Sequence, residues 1–120
     1  MSELHDYLRT RLRGPEADTT LTRGSAHRGV LTAVMLAERG GKLAYVSTTY
    51  NRSVKALTAA VRVCDSVHIP VHVHCNASDT RLDFDSGGVI RFLPANAKIE
   101  KVAGLEFTSV FVEEMGHEKT

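Results

Sequence analysis

The sequence predicts a three-layer α/β domain, a parallel sheet with helices on both faces. Two observations carry this. Short β-branched apolar runs alternate with helical patterns along the chain. The helical pattern Val30–Arg39 is apolar almost all round, which requires burial on more than one side.

Taken in order, Ser2 can cap an N-terminal helix with Glu3 and Asp6 in its first turn and Arg9, Arg11 and Arg13 toward its end, as the helix dipole prefers. Gly14-Pro15 ends it, so residues 1–15 form an N-terminal helix, 16–114 the α/β domain and 115–120 a tail. Thr19 to Thr22 is a short β-prone stretch leading into Gly24-Ser-Ala-His-Arg-Gly29. The apolar helix follows and stops at Gly40-Gly41. Leu43 to Ser47 reads as a buried parallel strand, and Asn51 to Cys64 as a helix with Val54, Leu57, Val61 and Cys64 on one face. Ile69 to Cys75 is the next strand, Asn76 to Ser86 a solvated turn, Val89 to Leu93 another strand after Gly87-Gly88, and Ser109 to Val112 the last, ending in Glu113-Glu114. Loops after parallel strands share one edge, so Gly24–Gly29, Thr48-Thr49 and Glu113-Glu114 should meet there.

Composition sets the bounds. Hydrophobic content of 42% and charged content of 24% are ordinary for a globular protein. Two cysteines make no disulfide framework, no apolar run follows the N-terminal basic residues as in a signal peptide, and no apolar stretch reaches about 18 residues, so a reduced, cytoplasmic, non-membrane protein is expected. Charge is uneven: residues 1–64 carry ten Lys/Arg against five Asp/Glu, and residues 65–120 five against nine. A basic front half favours phosphates or weak, salt-sensitive nucleic-acid binding through Arg9, Arg11, Arg13, Arg23 and Arg28, although solvated helix faces explain it equally.

Gly24 and Gly29 have the frame of the phosphate-binding motif G-x-x-x-x-G-K-[ST], but Val30 and Leu31 stand where the lysine and hydroxyl belong. Val110-Phe-Val-Glu-Glu114 has the form of the acidic strand in which an aspartate holds Mg2+ and a glutamate polarises the attacking water, with Glu113 at the aspartate position and Glu114 at the catalytic one. Together with Leu43-Ala-Tyr-Val-Ser-Thr-Thr49, Gly88-Val-Ile-Arg-Phe92 and the glycine at Gly104, these segments resemble, from about Thr19 to Glu114, the RecA-like core of phage large terminase subunits and superfamily helicases.

That resemblance implies a truncated P-loop NTPase fold, a nucleotide- or phosphate-binding segment at Arg23, Gly24, Ser25, Ala26, His27, Arg28 and Gly29, catalytic positions at Glu113 and Glu114, ATP with Mg2+ as cofactor, and a phage-encoded protein of the host cytoplasm. The departures argue against hydrolysis, because the missing lysine, hydroxyl and aspartate supply most transition-state stabilisation in phosphoryl transfer. In some terminases the basic residue moves toward the start of the loop, so Arg23 or Arg28 could substitute.

The chain ends directly after the acidic strand, which is expected to leave a sheet edge, at Val110–Val112 or elsewhere, that pairs with a second copy or a protein partner. Three functions stay open: a non-hydrolysing module for protein or nucleic-acid interaction, an ATP-binding motor fragment completed by a partner, and an unrelated doubly wound binding domain with an accidental glycine frame. His72 and His74 share one strand face, with His68 and Cys75 nearby, but lack the ligand number and spacing of a zinc site, so no metal is expected. Cys64 and Cys75 read as inward-facing, unreactive thiols. Asp79, Asp83 and Asp85 read as part of the solvated turn.

Overall fold

The computed structural model describes residues 3–12, 20–76 and 79–114. The predicted tail, the end of the predicted N-terminal helix and Arg13 lie outside the described residues. The elements are α1 (Glu3–Thr10), β1 (Thr20–Gly24), α2 (Ala26–Glu38), β2 (Lys42–Ser47), α3 (Tyr50–Ser66), β3 (Val71–Asn76), β4 (Asp79–Phe84), β5 (Val89–Pro94), a 3-10 turn (Ile99–Lys101) and β6 (Ser109–Glu113). The six strands form one sheet in the order β1-β6-β2-β5-β4-β3.

Three expectations are corrected here. The sheet is mixed: β1, β6, β2 and β5 are parallel, whereas β5-β4 and β4-β3 are antiparallel. The segment expected to be a solvated turn contains β4, in which Thr80, Leu82 and Phe84 are buried and Asp79, Arg81 and Asp83 lie on the other face. The period-2 alternation specifies a strand with one dry face, and the acids are its wet side. The acidic strand is also no edge: β6 lies between β1 and β2, which leaves β1 and β3 as the edges.

Alternation along β2 divides the core. Leu43 and Tyr45 pack with α2 and α3, together with Ile90, Phe92, Phe111, Leu82 and Phe84. Ala44 and Val46 pack on the other side with Leu4 and Leu8 of α1, Val102, Phe107, Val110 and Val112. On this second face the cluster joins α1 and the segment around the 3-10 turn to β2, β6 and the end of β5, through Ala44, Val46, Val110, Val112 and Leu93. Tyr45 lies between Phe111 and Phe92, with ring centroids 5.3 and 5.4 Å away. Such pairs contribute about 0.5–1.5 kcal/mol beyond area burial, which fixes the register of the three central strands.

Gly88 lies where a Cβ would come within 1.8 Å of the Ala37 carbonyl oxygen, so α2 can sit down on the start of β5 only over a glycine. At the far end of α3, His68 takes a positive φ of 61° while the Ile69 amide donates to the Cys64 carbonyl at 2.8 Å. The histidine considered as a metal neighbour is thus the left-handed residue that terminates the helix.

Candidate functional site

The C-terminal edge of the parallel strands brings together the predicted segments. Thr49 caps α3 by accepting from the Arg52 amide at 3.2 Å, and Ser25 caps α2 by accepting from the Arg28 amide at 3.5 Å. The Glu114 amide donates to the Gly24 carbonyl at 2.7 Å, which ties the end of the acidic strand to the glycine segment.

The glycine frame itself has an unexpected shape. Gly24 is the last residue of β1, Ser25 the cap, and Ala26–Gly29 already the first turn of α2, so no open loop intervenes. A Cβ on Gly29 would meet the Phe111 ring at 2.2 Å, and one on Gly24 would touch it at 3.4 Å. Phe111 belongs to the acidic strand, so Gly29 lets the helix close over its ring. That packing accounts for Gly29 without a phosphate, whereas a side chain at Gly24 would only reach ordinary contact with the ring. Val30 is buried at the helix–sheet interface and Leu31 is exposed, which shows how apolar residues fill the positions of the motif's lysine and hydroxyl.

Glu113 is buried, 5% exposed, with both carboxylate oxygens engaged. The Tyr45 hydroxyl donates to Oε2 at 2.8 Å, and Arg52 Nε donates to Oε1 at 3.1 Å. Burial raises the Tyr45 phenol far above its ordinary range, and the adjoining carboxylate raises it further by accepting its proton in a hydrogen bond and by repelling a phenolate; Arg52 opposes this weakly. Tyr45 is therefore a fixed donor. The carboxylate is held by a neutral hydroxyl and a guanidinium, the pairing a buried acid requires.

Above Glu113 a groove of about 280 Å³ runs between α2 and α3. Ala26, Val30, Leu31, Ala56, Ala59 and Val63 form apolar walls, and His27, Arg52 and Lys55 stand with Glu113 at its polar end. Both helices carry their charges against the dipole: neither has an acid in its first turn or a base in its last, Arg28 and Arg52 lie near the starts, and Glu38 and Asp65 near the ends. Each reversed placement costs about 0.3–1 kcal/mol relative to the favourable arrangement.

Of the predicted site residues, Ala26 and His27 line the groove, Arg28 and Arg23 are exposed, Glu113 is its buried acid, and Glu114 is half-buried beside Gly24. Sequence reasoning missed Tyr45, Arg52 and Lys55. Arg52, placed three residues after a threonine cap where a dipole disfavours a cation, was the available signal. The basic front half does not make one patch, because α1 and α2 pack on opposite sheet faces and Arg11 Nε donates to the Leu105 carbonyl at 2.9 Å.

A second polar cluster occupies the open face of the hairpin. Arg81 pairs with Asp79 and with Asp83 at 3.0 Å, Arg91 approaches Asp79 at 3.6 Å, and His74 and His72 approach Asp83 and Asp85 at 3.2 and 3.7 Å. Partial burial pushes the Asp83 carboxyl up, but the hydrogen bond and charge of Arg81, aided by His74, outweigh it and hold the group below the usual range. Among the described residues no group of three or more His, Cys, Asp and Glu is arranged to hold a metal ion. Cys75, expected to face inward, is exposed because β3 is an edge strand; Cys64 is buried, as expected, and burial raises its thiol. Among the described residues no helix is long and apolar enough to cross a membrane. No family model, curated protein or solved structure matches the chain.

Proposed function

We propose that the chain is a degenerate P-loop-type domain of the terminase and helicase kind that binds without hydrolysing, and that it acts as an interaction module toward a protein partner or a nucleic acid in a phage-related setting. The observation that supports this most is the state of Glu113. An acid that served Mg2+ would present a carboxylate oxygen to the metal, whereas both Glu113 oxygens are occupied by Tyr45 and Arg52 in a buried pocket. The packing of Gly29 on Phe111 adds to it, since a glycine needed by the core needs no phosphate to explain it. Protein interaction is supported by exposed apolar side chains, Leu31 and Met35 on α2 and Val73 on the edge strand β3.

The test is turnover of Mg-ATP by the purified chain, with Glu114→Gln as control. The expected result is release of phosphate no faster than background in both proteins. Turnover that Glu114→Gln abolishes would instead establish the motor-fragment reading, which draws on the convergence of the α2 and α3 N-termini with Glu113 and Glu114 at one edge. Nucleic-acid binding is read separately: affinity should fall steeply between low and moderate salt if phosphate contacts cause it.

A further inference from the structure

We propose that the groove between α2 and α3 is a binding site for an amphipathic organic anion, a medium-length apolar chain carrying one carboxylate. Its walls are built from aliphatic side chains of two helices, and a volume of about 280 Å³ holds about nine water-sized groups. That is the size of an eight-carbon chain with its head group, at the small end of ligand pockets.

Charge selects the head group. At the polar end the lining holds Arg52, Lys55 and His27 against a single acid, Glu113. Glu113 is satisfied from below by Tyr45 and Arg52, so its charge is offset within the fold. The Lys55 side chain is exposed and makes no hydrogen bond or ion pair with another described residue. The α2 and α3 N-termini add partial positive charge at the same end, and neither is neutralised by an acid in its first turn. On α3, Arg52 lines the groove at the first turn, where the helix dipole disfavours a cation, and local rules are broken in this way where recognition demands it. A carboxylate seated by Lys55 and His27 would relieve that repulsion, and its chain would cover Val30, Leu31, Ala59 and Val63. A cationic amphiphile gains the same apolar contact but adds to the repulsion.

The experiment follows methyl NMR signals of the full chain during titration with sodium octanoate, and in parallel with octylamine. Octanoate should give saturable shifts confined to the groove methyls of Val30, Leu31, Ala59 and Val63, and octylamine should bind at least about tenfold more weakly, the effect of about 1.4 kcal/mol. Lys55→Gln should weaken octanoate about fivefold, a modest factor because the side chain is exposed to solvent. Ala59→Phe, which fills the groove from a solvent-exposed position, should abolish the shifts while the melting temperature stays within a few degrees of the parent. Equal affinity for octylamine, shifts that survive Ala59→Phe, or no saturable shift up to about 10 mM octanoate would overturn the assignment. Shifts of the same methyls by polyglutamate in place of octanoate would assign the groove to acidic protein segments and likewise overturn it. Octanoate binding is read independently of ATP turnover, so either result can fail without the other.

Discussion

Two clusters that each pair carboxylates with arginine sit in different parts of the sheet and do different work. At the parallel end one carboxylate, Glu113, is enclosed by Tyr45 and Arg52 beneath the α2/α3 layer. At the hairpin end three aspartates, two arginines and two histidines pair across an open face, with side chains roughly a quarter to three-quarters exposed. Ion pairs in water exchange one set of favourable contacts for another and gain little, whereas a buried acid depends wholly on its partners. The difference teaches that the hairpin network orders a surface, while the Glu113 pair is a condition of the fold closing at that edge.

The sharpest way to break the comparison is to remove one partner at each end. Glu113→Ala removes the acceptor of the buried Tyr45 hydroxyl and the buried half of the Arg52 ion pair, and should destabilise the chain by about 3–5 kcal/mol in denaturant melts. Arg81→Ala at the hairpin should cost about 1 kcal/mol or less. Similar losses at both sites would erase the distinction.

Gly29→Ala comes next in size. Its methyl would strike the Phe111 ring, so despite the better helix propensity of alanine a loss of about 1–3 kcal/mol is expected. Combined with Phe111→Leu the penalty should shrink, and a double-mutant cycle measures that coupling. Additive losses would show that Gly29 is constrained by something other than the ring.

Smaller still is the acid response of the hairpin. The Asp83 carboxyl is held below its unfolded value, so its contribution to stability is present above the ordinary carboxylate pKa of about 4 and is lost as pH falls through the lower folded value. The acid limb of a stability–pH profile should therefore flatten in Asp83→Asn, and an unchanged limb would exclude this residue as a contributor. The smallest effect is at Ser53, whose hydroxyl is buried without a hydrogen-bond partner among the described residues. Ser53→Ala should be neutral or stabilising by about 1 kcal/mol in thermal melts. Marked destabilisation would reveal a bonding role for that hydroxyl.

The strands β2, β5 and β6 and the helix α3 were legible in the sequence because each carries a pattern its local geometry enforces: compact apolar runs, or Val54, Leu57, Val61 and Cys64 at helical spacing, of which Leu57 and Cys64 are buried and Val54 and Val61 half-buried. The convergence of Gly24, Thr49 and Glu113 followed from the rule that parallel strands deliver their loops to one edge. β4 was hidden because Asp79, Arg81 and Asp83 outweigh Leu82 and Phe84 in any reading by composition, although the alternation was present.

Other features lay beyond any local pattern. The glycine frame at Gly24 and Gly29 is the same string whether it wraps a phosphate or admits an aromatic ring, and only the arrival of Phe111, more than eighty residues later, decides between them. Likewise nothing near Glu113 announces that Tyr45 and Arg52 will close on it, since those contacts join residues 68 and 61 positions apart. The sequence by itself determined the helices, the parallel strands and the edge on which their loops converge, because periodicity and chain chirality act locally. Which side chains meet at that edge, and hence whether Glu113 faces a metal or a tyrosine, was decided by tertiary packing, where distant residues share one enclosed volume and compete for the same bonds.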